Sequence, residues 1–304
     1  MKQIVKAMAK QVPYLGNVLR ERDRLRAEHA LLWVPPGHFY SPILDAADRA
    51  RFERDRARPL PREVPGVDLN EDGQLALLRQ LRPYYDELPF ADHAQPGLRY
   101  RYDNPTYSYS DAVCLYAMLR HLRPRRIIEV GSGWSSAVML DTNERFLANS
   151  VRLTCVEPYP DVLHSVMTDA DRGRVEVVPC GLQEVGPERF AELAAGDVLF
   201  IDSTHVCKPG SDVAYLFAEV LPRLAAGVHV HFHDIFYPFD YPPVWVAQGR
   251  AWNEAYMLRS FLQFNDRFRV VLFNTFLAHF HREWLEREMP LCRLSCGSLW
   301  LRRV

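Results

Sequence analysis

Lysine is nearly absent from this chain. Of its 37 basic residues only Lys2, Lys6, Lys10 and Lys208 are Lys, and the rest are Arg. With 38 acidic residues the formal net charge is −1, so the charge balance gives no reason to expect a nucleic-acid partner. The arginine excess reads as coding-sequence base bias and carries no functional weight. Long apolar runs are missing too. None reaches the ~18 residues that a membrane-spanning helix needs, which argues against integral membrane association. The first ten residues, MKQIVKAMAK, are charged at every fourth position and hold no signal-peptide core; a cytoplasmic location is expected. Cysteines are few: Cys114, Cys155, Cys180, Cys207, Cys292 and Cys296. Only the last two are close together, and no second pair completes a zinc tetrad. No internal repeat is visible. What is there, 48% hydrophobic and 25% charged residues over 304 positions, fits a globular chain of one large or two ordinary domains.

Residues 1–101 differ in texture from the rest. Lys2, Lys6 and Lys10 share one helical face, a pattern that suits a helix docked on its own protein or resting on a membrane surface. Helical character continues to Pro35 and Pro36, which stop it. Residues 48–65 are charged and Pro-punctuated, and a further helix is expected over 74–81. From residue 102 the pattern is regular. A helix starting near Ser110 and Asp111 ends at Pro124. Apolar, β-branched runs follow: RIIEVG, RLTCVEP, RVEVVP, DVLFIDS and GVHVHFHDIF. Helical segments such as SSAVMLDTNERFLA and SDVAYLFAEVLPRLA separate several of them. Continuous apolar strands alternating with helices predict a parallel sheet covered on both faces. FRVVLFNTF and GSLWLRRV close the chain as two further strands that suit an antiparallel edge pair. The expected organisation is a helical extension over 1–101 and an α/β domain over 102–304.

The first strand runs into EVGSGWSS at 129–136. Gly131 and Gly133 permit a tight turn and close approach of a ligand, and the helix that follows, from Ser135 onward, offers N–H groups to an anion. The second strand ends in Glu157, about two dozen residues on, where a carboxylate accepts hydrogen bonds from ribose hydroxyls. Gln183 or Glu184, after the third strand, suits the edge of an adenine ring. Strand four ends in DSTH, Asp202 to His205, and strand five in His233 and Asp234. Ligands of open α/β sheets sit at the carboxyl ends of strands, so these four residues are expected to converge. Two carboxylates and an imidazole suit a divalent cation, and an imidazole near its ordinary ~6.5 suits proton removal. His229 and His231 share a sheet face with His233 and are read as structural.

The order EVGSG, CVEP, FIDSTH, HFHDIF resembles class I S-adenosylmethionine-dependent methyltransferases over residues 102–304. The resemblance implies a Rossmann-like seven-stranded sheet, mostly parallel with an antiparallel last strand. It also implies S-adenosylmethionine as cofactor, held by Glu129, Gly131, Gly133, Ser135, Glu157, Gln183 and Asp202. The Asp-x-x-His and His-Asp pair is most similar to metal-dependent O-methyltransferases of small molecules and sugars. In those, a divalent metal (Mg2+ or Mn2+) on Asp202, His233 and Asp234 would lower the pKa of an acceptor hydroxyl, and His205 would take its proton. His233 departs from the carboxylate or other hard oxygen ligand common at that position, and imidazole suits Fe2+ or Zn2+ better than Mg2+. Tyr107 and Tyr109 stand where family members close over the cofactor. The aromatic run IFYPFDYPPVW at 235–245, with Tyr237, Tyr241 and Trp245, is the expected lip of the acceptor pocket. The acceptor is a small molecule of unspecified identity. Residues 1–101 would cap it or contact a second chain, and whether two chains associate stays open.

Three other readings remain. Gly133-Trp-Ser135-Ser-Ala137 approximates a nucleophile elbow, and Ser135, Asp202 and His233 follow the chain order of an α/β-hydrolase triad; against it, the last Gly is Ala and the motif follows the first strand. The second is a binding module of methyltransferase fold without turnover. The third is a metal-dependent oxygenase using His233, Asp234 and another His.

Overall fold

The structure, a computed structural model, describes residues 13–293 and 297–304. The Lys2, Lys6 and Lys10 face and Cys296 lie outside the described residues. The chain divides into two compact units, one of residues 1–59 with 243–251, the other of residues 60–242 with 252–304. The expected extension is thus split, since residues 60–101 pack within the second unit.

In the first unit α1 (Pro13–Ala30) is strongly charged, with Arg24 paired to Glu21 and Glu28 on neighbouring turns. Helix α2 (Ala46–Arg56) starts where Asp45 accepts a hydrogen bond from the Asp48 N–H at 2.7 Å, a standard N-cap. Little apolar surface is buried here, and Leu31, Trp33 and Phe39 are exposed.

The second unit is a seven-stranded sheet in the order β3-β2-β1-β4-β5-β7-β6. The strands are β1 (Arg126–Val130), β2 (Arg152–Val156), β3 (Val175–Val178), β4 (Val198–Ile201), β5 (His229–His233), β6 (Phe268–Phe273) and β7 (Ser298–Arg303). The first five are parallel, and β7 runs antiparallel between β5 and β6. This is the mixed sheet expected from the sequence. The central strands are buried on both faces because helices cover both; Leu199, Phe200, Val230 and Phe232 are fully buried, and His231 and His233 lie buried on the other face of β5.

The helices of this unit begin with α3 (Glu71–Tyr85), longer at both ends than the expected 74–81. Its buried Gln74 donates to the Leu69 carbonyl and accepts from the Phe273 N–H, both at 2.7 Å, which joins it to β6. Then come α4 (Tyr109–Leu122), α5 (Trp134–Phe146), α6 (Asp161–Val166) and α7 (Asp212–Tyr215). Helix α7 continues as a π turn over Leu216–Val220 and a 3-10 turn over Leu221–Arg223. After α8 (Pro243–Ala247) in the first unit come α9 (Glu254–Leu262), α10 (Asn274–Phe280) and α11 (Arg282–Glu288). Asp111 in the first turn of α4 is buried and accepts from Asn274 Nδ2, Gly297 N and Ser298 Oγ at 2.7–3.1 Å. It ties α4 to the start of β7. No helix among the described residues is long and apolar enough to cross a membrane.

Candidate active site

The glycine turn lies between β1 and α5. Gly131 has φ +76°, and a Cβ there would stand 1.9 Å from the Asp202 carbonyl oxygen. Glycine is therefore required by both conformation and space. Gly133 is extended, with φ 167°, and its neighbour is Val162, 3.0 Å from where a Cβ would sit. Ser136 Oγ accepts from the Gly133 N–H at 3.0 Å and closes the helix start. Beneath the turn Glu129 is fully buried, with Ser135 and Ser136 hydroxyls donating to its two oxygens and Cys155 Sγ at 3.3 Å. Burial disfavours its charge and pushes it up to about 7 against the help of these donors. At the end of β2, Glu157 accepts from Ser132 N at 3.1 Å and Tyr159 N at 2.8 Å. Gln183 is exposed in the turn after β3, its Nε2 donating to the Gly210 carbonyl at 3.0 Å.

Strands β4 and β5 bring the four expected residues together. His205 Nε2 lies 3.5 Å from Asp202 Oδ1 and 3.6 Å from Asp234 Oδ2. His233 Nε2 is 3.5 Å from Asp234 Oδ1. His205 and Asp234 both have positive φ, 59° and 57°. Backbone strain of this kind, of order 1–2 kcal/mol per residue, persists only where surroundings enforce it.

The enforcing residues come from a segment that sequence reasoning passed over. The N–H groups of Asn253 and Glu254 both donate to the His205 carbonyl, at 3.0 and 3.2 Å. Asn253 Oδ1 accepts from the Cys207 N–H at 2.6 Å. Glu254, fully buried, takes His205 Nδ1 on one oxygen at 2.9 Å and the Ser203 hydroxyl on the other at 2.8 Å. The Trp252 ring covers the His205 ring, centroids 4.3 Å apart. In the sequence Glu254 looks like an ordinary acidic residue in a first helical turn, and nothing there announces its partner 49 residues upstream.

This environment sets the charges. Burial works against a charged His205, but Asp202 and Glu254 outweigh it and push the imidazole up to about 10. The ordinary value expected from sequence does not hold: in the free protein His205 carries its proton. Burial also opposes charge on Asp202, yet His233 and His205 hold it below the usual carboxylate range. His233 is raised despite burial by Asp234, Asp202 and Asp111. His231, two residues back, is fully buried and stacked on Phe200 at 4.0 Å, and burial pushes it well below an ordinary histidine.

Several expectations are corrected by this geometry. Of the side chains that the resemblance assigns to a metal, Asp202 and Asp234 both face His205 Nε2, at 3.5 and 3.6 Å, and His233 Nε2 faces Asp234 at 3.5 Å. Among the described residues no group of three or more His, Cys, Asp or Glu is placed to hold a metal ion. That holds for Asp202, His233 and Asp234, and equally for an oxygenase triad. The hydrolase triad is not formed either, since the buried Ser135 hydroxyl is committed to Glu129 and the carboxylate beside His233 Nε2 is Asp234. The expected aromatic lip turns inward at two positions: Tyr237 is fully buried with its hydroxyl on the Pro61 carbonyl, and Tyr241 is buried with its oxygen accepting from Ala255 N. Their large apolar rings serve the core. Tyr107 is core as well, its ring 5.0 Å from His233. Tyr109 stacks on Tyr102 and donates to Asp92.

Residues 128–235 match the family model described as a methyltransferase domain. An uncharacterized protein of Archaeoglobus fulgidus is 36% identical over 129 residues, 41% of this chain and 58% of that relative's length. Among solved structures, an SAH-bound methyltransferase of Podospora anserina is 14% identical, with 89% of this chain and 98% of that one covered and a TM-score of 0.41. A putative O-methyltransferase of Klebsiella pneumoniae is 13% identical, with 85% and 96% covered and a TM-score of 0.42. The glycine turn between β1 and α5, the ends of β2 and β4 and the whole of β5 all fall inside the segment that matches the methyltransferase-domain model.

Proposed function

We propose that this protein transfers a methyl group from S-adenosylmethionine to an oxygen of a small molecule or sugar. One observation carries the reading: the Gly131 turn rests on the carbonyl of Asp202, so the cofactor turn and the acid–histidine cluster share a wall. S-adenosylmethionine supplies an electrophilic methyl carbon on a cationic sulfonium. Gly131, Gly133 and the first N–H groups of α5 would receive its methionine portion, with Glu129 and Ser135 bracing the turn from below. Glu157 would accept from the ribose, Gln183 would border the adenine, and Asp202 would face the cofactor's charge.

His205 would take the acceptor's proton at Nε2. Glu254 on Nδ1 fixes which nitrogen is presented, the arrangement of a base oriented by a carboxylate. Because His205 is charged in the free protein, it must first lose its own proton. A positive charge brought beside it favours that loss, like charge opposing like. Asp234, 3.6 Å from the same nitrogen, would hold the acceptor hydroxyl in line.

The Mg2+ or Mn2+ that the resemblance implies does not fit the side chains as they stand, so no step is routed through it. Turnover is expected to survive chelation. Loss with EDTA and recovery with Mg2+ would overturn that and return Asp202 and Asp234 to ligand duty. The reading as a whole is tested by calorimetric titration with S-adenosylmethionine and S-adenosylhomocysteine. Micromolar binding that disappears in Glu157→Ala is expected. No binding of either by folded protein would overturn the proposal, and binding without turnover on any acceptor would make the chain a binding module.

A further inference from the structure

We infer that Arg101 grips the carboxylate at the methionine end of the cofactor, an assignment that rests on the methyltransferase reading above. The segment carrying it is laid along α5. Arg99 is the anchor: its nearly buried guanidinium meets Asp141 at 2.8 Å, Asp171 at 2.7 Å and Glu144 at 2.7 Å. The backbone N–H groups of Arg99 and Tyr100 both donate to the Asp141 carboxylate, at 3.0 and 2.9 Å. Asp141 lies seven residues, about two helical turns, beyond Trp134 and so on the same face of α5. Two positions along from the anchor, the Arg101 guanidinium lies 4.9 Å from the centre of the Trp134 ring. Trp134 is the first residue of α5 and follows Gly133 directly.

The strap is fixed at its other end as well. Asn104 Nδ2 donates to the carbonyls of Arg101 at 2.8 Å and Tyr107 at 2.7 Å, and its Oδ1 accepts from the Tyr107 N–H at 2.8 Å. Arg101 Nε donates to the Asp103 carbonyl at 2.8 Å, which sets the plane of the fork. Arg99 and Arg101 then differ in one respect. Arg99 meets three carboxylates, whereas among the described residues Arg101 has no carboxylate partner. A guanidinium held over an indole is a prepared two-pronged site for a carboxylate. It stands beside the turn given to the methionine portion, where the Ser132 hydroxyl is buried without a hydrogen-bond partner.

The test compares two ligands that differ by one group. S-adenosylhomocysteine carries the carboxylate, and 5′-S-(3-aminopropyl)-5′-thioadenosine is the same molecule without it. Both are titrated into the full chain, its Arg101→Met variant and its Arg101→Lys variant, with circular dichroism confirming folding. Arg101→Met should weaken S-adenosylhomocysteine roughly tenfold or more, the scale of a lost charged hydrogen-bond pair, and leave the amine ligand within twofold. Arg101→Lys should fall between. Equal weakening of both ligands, or of neither, overturns the assignment while leaving the methyltransferase reading in place. Failure of the wild-type chain to bind either ligand overturns both together.

Discussion

The glycine turn and the acid–histidine cluster meet at the carbonyl of Asp202, yet they are held by different forces. The turn is a matter of backbone and space. Gly131 has a left-handed φ and no room for a Cβ, and the carboxylate below it is braced by neutral hydroxyls. The cluster is a matter of charge. His205 stands among Asp202, Asp234 and Glu254, and its left-handed backbone is held by hydrogen bonds from 253 and 254. A steric site fails when atoms are added to it. An electrostatic one fails when a partner is taken away. The two halves should therefore respond to opposite kinds of substitution.

The largest effect is expected at the steric half. Gly131→Ala places a methyl group 1.9 Å from the Asp202 oxygen, closer than van der Waals contact allows, in a conformation that L residues avoid. The cost is expected to exceed about 3 kcal/mol of stability, in the range that marks enforced backbone strain and overpacking. Urea denaturation reads the stability, and titration of the folded fraction with S-adenosylhomocysteine reads the site. A variant with unchanged stability and affinity would show that the turn does not press on β4.

The charged half should instead lose rate and keep binding. His205→Ala removes the proposed proton acceptor and should lower kcat by about 10²–10⁴, the usual span of general acid–base contributions, with affinity for S-adenosylhomocysteine within a few-fold. Glu254→Gln keeps the size of the side chain and removes its charge. It should lower kcat by roughly tenfold, less than His205→Ala, because it orients the base and does not touch the acceptor. Equal loss of cofactor binding in both variants would mean that the cluster is structural.

The same comparison explains how much could be read from the sequence. The strands, their order of appearance and the glycine turn were legible because each is a local pattern: apolar runs, turn residues and a helix start within a few positions of one another. The ends of β4 and β5 were legible as a place because topology alone puts neighbouring parallel strand ends together. What joined them was not legible. Glu254 reaches His205 across 49 residues, and its own neighbourhood is that of any helix start. The charge of His205 escapes the sequence for the same reason, since it is set by that distant carboxylate and by Asp202. Tyr237 and Tyr241 differ from expectation because an aromatic in a loop after a strand end reads alike whether its ring faces solvent or fills the core. Only the contacts of Tyr237 with Pro61 and of Tyr241 with Ala255 distinguish the two.

Buried titratable groups sharpen the contrast further. Glu129 sits in the steric half with its carboxyl pushed up to about 7 from 4.5. Between those values the folded chain keeps a proton that the unfolded chain has released. Its contribution to stability is therefore present at low pH and lost as pH rises through 7. At roughly 1.4 kcal/mol per unit, the loss is on the order of 3 kcal/mol at most. Wild type minus Glu129→Gln, measured by denaturant unfolding at pH 5 and pH 8, should show this fall. A flat difference would mean that Glu129 is ionised throughout.

His231 gives the smallest effect and the opposite slope. It lies on β5 two residues before His233, on the same face, but its ring is packed between Phe200 and Trp300 with neither nitrogen hydrogen-bonded. An unsatisfied polar group of this kind costs about 1–3 kcal/mol, so His231→Leu, a change of modest volume, should stabilise the fold by about 1 kcal/mol at pH 7. Burial holds its pKa well below 6.5. Below that pH the unfolded chain binds a proton that the folded chain refuses, so wild type loses stability as pH falls. The advantage of His231→Leu should therefore widen from pH 7 to pH 5, while the deficit that Glu129 imposes fades over the same interval. His233→Leu should do the reverse of His231→Leu and destabilise, most at pH 5, because Asp234 and Asp202 raise the pKa of His233 and a raised histidine contributes most at low pH. If the two histidine variants behaved alike, the charged site would extend down β5 into the core, and the division between a steric and an electrostatic half would fail at this strand.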